Sequence, residues 1–285
     1  MTRLRSAVFA ALALAVVLAL LADRSRVVHQ EGAGQDRIRV LERPDGVREL
    51  LMGTSRGRQT AMDPTRPERL ELPYTRVAMA ALALVEPDAR ILFVGLGGGA
   101  MPRYVRWLLP RARIHAVELD PRVVAVAREW FGFRPDSLTA VHVGDGRAFV
   151  EAAAPGSFDL VVLDAFDGGV VPRALATEEF LRAVRASLAP GGVVAGNLHT
   201  TDPGYRAMVA TYKAVFPGVA LLGVPWRRQV VVLAGSAAAL ARDSLLARVR
   251  ALQARTDPGF DLAGLVAREY EPAPPWEAPV LRDPR

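Results

Sequence analysis

The sequence predicts a doubly wound α/β fold with a mostly parallel sheet, and three observations carry that reading. Short apolar runs alternate with helix-period segments along most of the chain. The runs are continuous in Val, Ile and Leu, as strands must be when helices cover both of their faces. Gly, Pro and Asp, the residues that favour turns, fall between them.

The elements follow in order. Residues 37–41 and 47–52 read as two short strands joined by Pro44-Asp45-Gly46, and a polar, Pro-bearing stretch follows to residue 73. A helix is expected over 74–85. The series then runs strand 90–97, helix 102–109, strand 113–119, helix 121–130, strand 139–143 and helix 147–153. Strand 158–164, helix 177–188, strand 192–198 and helix 204–215 continue it. Strands 219–224 and 229–233 close the sheet, and a helix over 236–254 leads into a Pro-rich tail. The expected division is an N-terminal hydrophobic segment in 1–30, a small β unit in 37–73, the α/β catalytic domain in 74–236, and the C-terminal helix and tail in 237–285.

Residues 7–22 are uninterruptedly apolar, flanked by Arg3 and Arg5 and by Asp23-Arg24-Ser25-Arg26. No small-x-small cleavage site follows, because Leu20-Leu21-Ala22 is bulky at the first position. A single membrane anchor is the expectation, with a secretory signal as the alternative. Arg24, Arg26, Arg37, Arg39 and Arg43 outnumber the basic residues before the run, which favours a cytoplasmic domain over an exported one.

Composition removes several classes of function. At 285 residues and 51% hydrophobic content, the chain can bury a large core. It has no cysteine, so disulfides, thiolate metal sites and a Cys nucleophile are excluded. Four histidines, at 29, 115, 142 and 199, supply too few ligands for a multi-His centre, and no metal is expected. Lys213 is the sole lysine, so 35 of the 36 basic residues are arginine. They are scattered, often beside Asp, Glu or Pro, which suits a solvated surface and not a nucleic-acid face.

In open parallel sheets ligands bind outside the carboxyl ends of the strands. Those ends carry Gly95-Leu96-Gly97-Gly98-Gly99-Ala100, Glu118-Leu119-Asp120, Gly144-Asp145-Gly146 and Asp164-Ala165-Phe166-Asp167. The glycine turn satisfies a pattern shared by dinucleotide and nucleoside sites, and is also what a tight strand-to-helix turn needs. Glu118, 23 positions after Gly95, stands where an acid accepts hydrogen bonds from ribose hydroxyls. Asp145 suits either an exocyclic amine or the cap of the next helix. Asp164 and Asp167 end an apolar strand together and could bind and deprotonate a cationic amine or offset a sulfonium charge.

Taken in order, Ile91–Ala100, Val117-Glu118-Leu119-Asp120-Pro121, Gly144-Asp145-Gly146 and Leu163-Asp164-Ala165-Phe166-Asp167 resemble the spermidine synthase family. The resemblance covers roughly residues 37–235. It implies a Rossmann-like sheet of the class I methyltransferase type and aminopropyl transfer from decarboxylated S-adenosylmethionine to an amine in polyamine biosynthesis. By that resemblance Gly95, Gly97, Gly98 and Gly146 approach the S-adenosyl ligand, Glu118 holds its ribose and Asp145 its adenine amino group. Asp164 is the catalytic carboxylate, Asp167 helps bind the acceptor amine, and Gln59 and Tyr74 close the pocket. The expected partners are a small-molecule amine, from the resemblance, and the membrane, from the apolar run 7–22, with a homodimer as a further possibility.

The sequence departs from the family at three places. Gly98 stands where the family has an Asp that grips the donor's ammonium, Thr75-Arg76 follow Tyr74 in place of a Gln-Glu pair, and Val224-Pro225-Trp226-Arg227 lacks a substrate-side Tyr. A site that loses two acids and gains arginine should hold a polyamine less well. The alternatives are therefore an S-adenosylmethionine-dependent methyltransferase on a non-polyamine acceptor, a membrane-anchored nucleoside-binding protein without turnover, and, behind these, NAD-linked oxidoreduction.

Overall fold

The computed structural model describes residues 25–54, 57–167, 169–226 and 228–284. It opens on an antiparallel sheet of β1 (Arg26–Glu31), β2 (Ile38–Glu42), β3 (Arg48–Met52) and β4 (Arg58–Met62), in that spatial order. The sequence reading places only β2 and β3. β1 and β4 are polar and short, and they are strands because β2 and β3 offer them edges. β1 also lies partly inside the expected 1–30 segment, so the structured unit begins before residue 37. Ile38, Val40, Leu50 and Met62 of this sheet pack with Val123, Val126 and Phe131. The β unit is thereby clamped onto the larger domain.

α1 (Pro73–Ala78) starts that domain with proline in its first turn, where the missing N–H costs nothing. It tightens into a 3-10 helix over Met79–Leu84 instead of continuing to residue 85 as α-helix. The main sheet follows: β5 (Arg90–Val94), α2 (Ala100–Leu108), β6 (Arg113–Glu118), α3 (Pro121–Trp130), β7 (Thr139–Val143), α4 (Gly146–Ala152), β8 (Phe158–Leu163), α5 (Glu178–Ser187), β9 (Leu188–His199), α6 (Tyr205–Val215), β10 (Gly218–Gly223) and β11 (Gln229–Gly235). Its strand order is β12-β10-β11-β9-β8-β5-β6-β7, where β12 is Tyr270–Pro272. The pairs from β9 through β7 are parallel, and β10, β11 and β12 join antiparallel at one edge.

The continuous apolar runs have their physical cause in two buried layers. Ile91 and Phe93 of β5 enter one core with Tyr104 and Val105, while Leu92 and Val94 enter the other with Phe180 and Tyr212. Past its first residue every position of this strand is inside, so none there can be polar without a partner.

The C-terminal reading needs two corrections. The expected helix 236–254 is broken at Ala241 into α7 (Ala237–Leu240) and α8 (Arg242–Thr256), and α9 (Leu262–Glu269) lies in what reads as tail. The Pro-rich end is also tied down. Trp276 packs edge-on to Tyr205, Leu281 N donates to Thr211 Oγ1 (3.0 Å), and Asp283 forms a two-point ion pair with Arg147.

The expectation of a membrane-anchored chain with a cytoplasmic domain is also corrected. Among the described residues no helix is long and apolar enough to cross a membrane, and the 7–22 run that carried the expectation lies outside them.

Candidate active site

The parallel strand order reverses between β5 and β8, and the switch point of such a sheet opens a crevice beyond the strand ends. Gly95 ends β5 and Asp164 ends β8 there. Asp164 N donates to Val94 O (2.9 Å), and a Cβ on Gly95 would lie 2.4 Å from Asp164 O. With φ at +97° as well, this position admits only glycine without distortion.

The crevice holds two adjoining cavities. The larger, about 470 Å3, suits a nucleoside-sized ligand and is bounded by Gln59, Gly95, Gly97, Glu118, Asp145, Gly146, Asp164 and Asp167, together with Tyr74. The smaller, about 260 Å3, shares Gln59 and Tyr74 with it and is lined also by Asn197.

Asp164 borders the larger cavity, and its two hydrogen-bond partners border the smaller one. Tyr74 Oη donates to its Oδ2 (3.0 Å) and Asn197 Nδ2 to its Oδ1 (2.9 Å). Burial nevertheless pushes the carboxyl up to about 6, because two neutral donors offset only part of the lost hydration. Burial, and then the adjacent Asp164 charge, raise the Tyr74 phenol well above its ordinary value, so Tyr74 remains a donor.

Glu118 braces the glycine turn from beneath. Its Oε2 accepts from Leu96 N (3.0 Å) and Gly97 N (3.4 Å), and Oε1 accepts from Asp120 N (3.1 Å). A carboxylate has about four acceptor directions, so capacity remains for hydroxyls in the cavity. Asp145 caps α4, with Oδ1 accepting from Ala148 N (2.8 Å). Its other oxygen is free to serve a ligand, so the two roles weighed for it are compatible.

Other expectations fall elsewhere. Gly98 does not face the cavity. Its N–H donates to Thr60 Oγ1 (2.8 Å), and a Cβ there would meet Thr60 Cγ2 at 2.7 Å and Phe131 Cγ at 2.9 Å. Gly98 is a packing glycine beneath β4, which corrects its assignment to the ligand. Arg76 points away too: its Nε donates to Leu70 O (2.6 Å) and its guanidinium lies over Phe260. Trp226 is fully exposed and borders neither cavity. Asp167 is exposed at the rim of the larger cavity, where it pairs with Val170 through the main chain.

Sequence reasoning missed Asn197, Thr60, His199 and Arg228. Asn197 left a legible signal, being a lone amide in the apolar strand 192–198, and a buried polar group needs a partner. The others carry no local mark.

The Spermine/spermidine synthase domain matches residues 74–225, more than half of the chain. The chain belongs to the spermine/spermidine synthase family. Among curated relatives, the polyamine aminopropyltransferase of Vibrio vulnificus is 34% identical over 199 residues, covering 68% of this chain and 66% of that protein. The chain thus spans just under two thirds of that relative's length. A probable spermidine synthase from Corynebacterium glutamicum superposes with a TM-score of 0.67 at 20% identity, over 89% of this chain and 100% of the other. Human methyltransferase-like protein 13, solved with SAH, gives a TM-score of 0.58 at 30% identity, over 64% of this chain and 91% of the other. The sheet of this family member is accordingly the methyltransferase-like one.

Proposed function

We propose that the chain is an aminopropyltransferase that moves the aminopropyl group of decarboxylated S-adenosylmethionine onto a small-molecule amine. The observation that carries the proposal is the Asp164 carboxylate, raised to about 6, at the larger cavity and held by Tyr74 and Asn197, which also border the smaller one. An alkylamine is an ammonium at neutral pH and must lose a proton before it can attack. A carboxylate with that affinity is ionised at pH 7 and can still take the proton. Two adjoining cavities that share Gln59 and Tyr74 offer donor and acceptor separate places, which supports a direct displacement between them.

In this reading Glu118 holds the ribose hydroxyls and Asp145 the adenine amino group. Gln59, Gly95, Gly97 and Gly146 shape the wall around them. Tyr74 orients Asp164, and Asp167 stands at the rim where an amine enters. The direct test is methylthioadenosine release from decarboxylated S-adenosylmethionine with an amine acceptor. No release from a chain that still binds methylthioadenosine would overturn the proposal.

Two predictions belong here. Asp145→Ala should weaken methylthioadenosine binding by about 1–3 kcal/mol and lower thermal stability through loss of the α4 cap, worth about 1 kcal/mol. Calorimetric titration and a melting curve read the two effects separately, and unchanged affinity would leave Asp145 a cap alone. Glu118→Gln should loosen both ligand and turn, because an amide nitrogen cannot accept from Leu96 N or Asp120 N. Its methylthioadenosine affinity should fall more than tenfold by the same titration.

A second reading has one specific observation behind it. The human relative solved with SAH, 30% identical to this chain, is a methyltransferase by name. On that reading S-adenosylmethionine and an acceptor would yield S-adenosylhomocysteine. Offering both donors in parallel separates the two.

A further inference from the structure

The smaller cavity holds the acceptor if the aminopropyl-transfer reading is right, and its lining has the wrong sign for a diamine. Arg58, Arg228, His199 and Gln229 line it, and among the described residues no Asp or Glu does. Arg58 is committed to Glu49, with Nη1 donating to Oε1 (2.9 Å), so it brings donors but little net charge. Arg228 is exposed at the cavity edge and has no carboxylate partner among the described residues. Gln229 Nε2 lies 3.1 Å from His199 Nε2, and an amide nitrogen only donates, so that ring nitrogen accepts. Phe166 packs against the His199 ring at 4.9 Å and supplies an apolar side. Asp167 borders the larger cavity and not this one.

A molecule filling this space lies against Tyr74 and Asn197, the two residues that hold the Asp164 carboxylate, and against Arg228. We infer that the acceptor is an amine that also bears a carboxylate, bound with its amine toward Asp164 and its carboxylate toward Arg228. A diamine would match the first end and bring a second ammonium against Arg228, where like charges at close range repel. Guanidinium and carboxylate, in contrast, meet through two parallel N–H donors.

The inference rests on the aminopropyl-transfer reading and leaves its chemistry unchanged. The acceptor nitrogen gives up a proton to Asp164 and forms a bond to the methylene carbon beside the sulfonium. The carbon–sulfur bond breaks, and sulfur keeps the electron pair as the neutral thioether of methylthioadenosine. The product is a secondary amine that retains the carboxylate.

The experiment uses the full chain, decarboxylated S-adenosylmethionine and two acceptors of matched length, 4-aminobutanoate and 1,4-diaminobutane. The kcat/KM for 4-aminobutanoate should exceed that for the diamine at least tenfold, measured as methylthioadenosine release. Arg228→Glu should invert the order, and Arg228→Gln should raise the KM for 4-aminobutanoate about tenfold with little change in kcat. Because Arg228 is exposed, neither variant should disturb folding. A native preference for the diamine would overturn this inference and leave aminopropyl transfer standing. An unchanged order in Arg228→Glu would overturn it as well. Release with neither acceptor would count against the transfer reading itself. Binding of 4-aminobutanoate to the methylthioadenosine-saturated chain then decides the site: an Arg228-dependent signal supports it, and no signal overturns it.

Discussion

Asp164→Asn is expected to lose nearly all turnover and to be more stable than the native chain. As general base, Asp164 should be worth about 10^2–10^4 in kcat. Asparagine fits the same place, since its oxygen can accept from Asn197 Nδ2 and its amide can donate to the Tyr74 hydroxyl. The stability gain comes from the rise of the native carboxyl from 3.8 to about 6 on folding. At about 1.4 kcal/mol per pH unit, the ionised form costs the fold about 2–3 kcal/mol. The sign follows from linkage. Below pH 4 the group is protonated folded and unfolded, and contributes no difference. Between pH 4 and 6 the unfolded carboxyl ionises first, so the native chain loses stability as pH rises. The advantage of Asp164→Asn should therefore be absent near pH 4, grow to about pH 6 and stay level above it. Denaturant unfolding at several pH values measures it. In the native chain, any turnover should rise with pH through about 6. A variant that keeps native turnover, or whose stability advantage does not change with pH, would remove Asp164 from the role assigned here.

Gly98→Asp should cost the fold about 3 kcal/mol or more without changing donor preference. The new Cβ would sit 2.7 Å from Thr60 Cγ2 and 2.9 Å from the ring of Phe131, which is fully buried. Two packed neighbours on opposite elements must give way, and the carboxylate would then lack water or a cation. By motif alone the same substitution should restore a grip on the donor's ammonium and move the preference toward decarboxylated S-adenosylmethionine. Melting temperatures separate the two expectations. A stable variant with a tenfold shift between donors would show that Gly98 faces the methionine end after all.

Much of the fold was legible because its cause is local. A strand buried on both faces is apolar save for paired residues near its start, as Arg90 and Asp159 are with each other, so β5 (Arg90–Val94) and β8 (Phe158–Leu163) announce themselves and their parallel setting together. Pro121 behind Asp120, and Thr177 ahead of Glu178, mark helix starts by capping chemistry, and α3 and α5 begin there. β1, β4 and α9 were not legible in this way. Each is short and mixed in polarity, and owes its form to the edge or groove against which it lies.

By itself, the sequence determined the parallel α/β sheet, its glycine turn and the acids at the ends of its strands. All of these follow from burial pattern and backbone sterics within a few residues of one another. The tertiary structure alone decided what those acids do. Asp164 meets Tyr74 from 90 positions away and Asn197 from 33, and the burial that raises its pKa belongs to the assembled site. Thr60 on β4 turns Gly98 from a ligand position into a packing contact, and Arg228 reaches the acid-free cavity while Arg76 turns away from it. Desolvation, charge sign and the direction of a Cβ depend on which distant elements meet, and local periodicity carries no record of that.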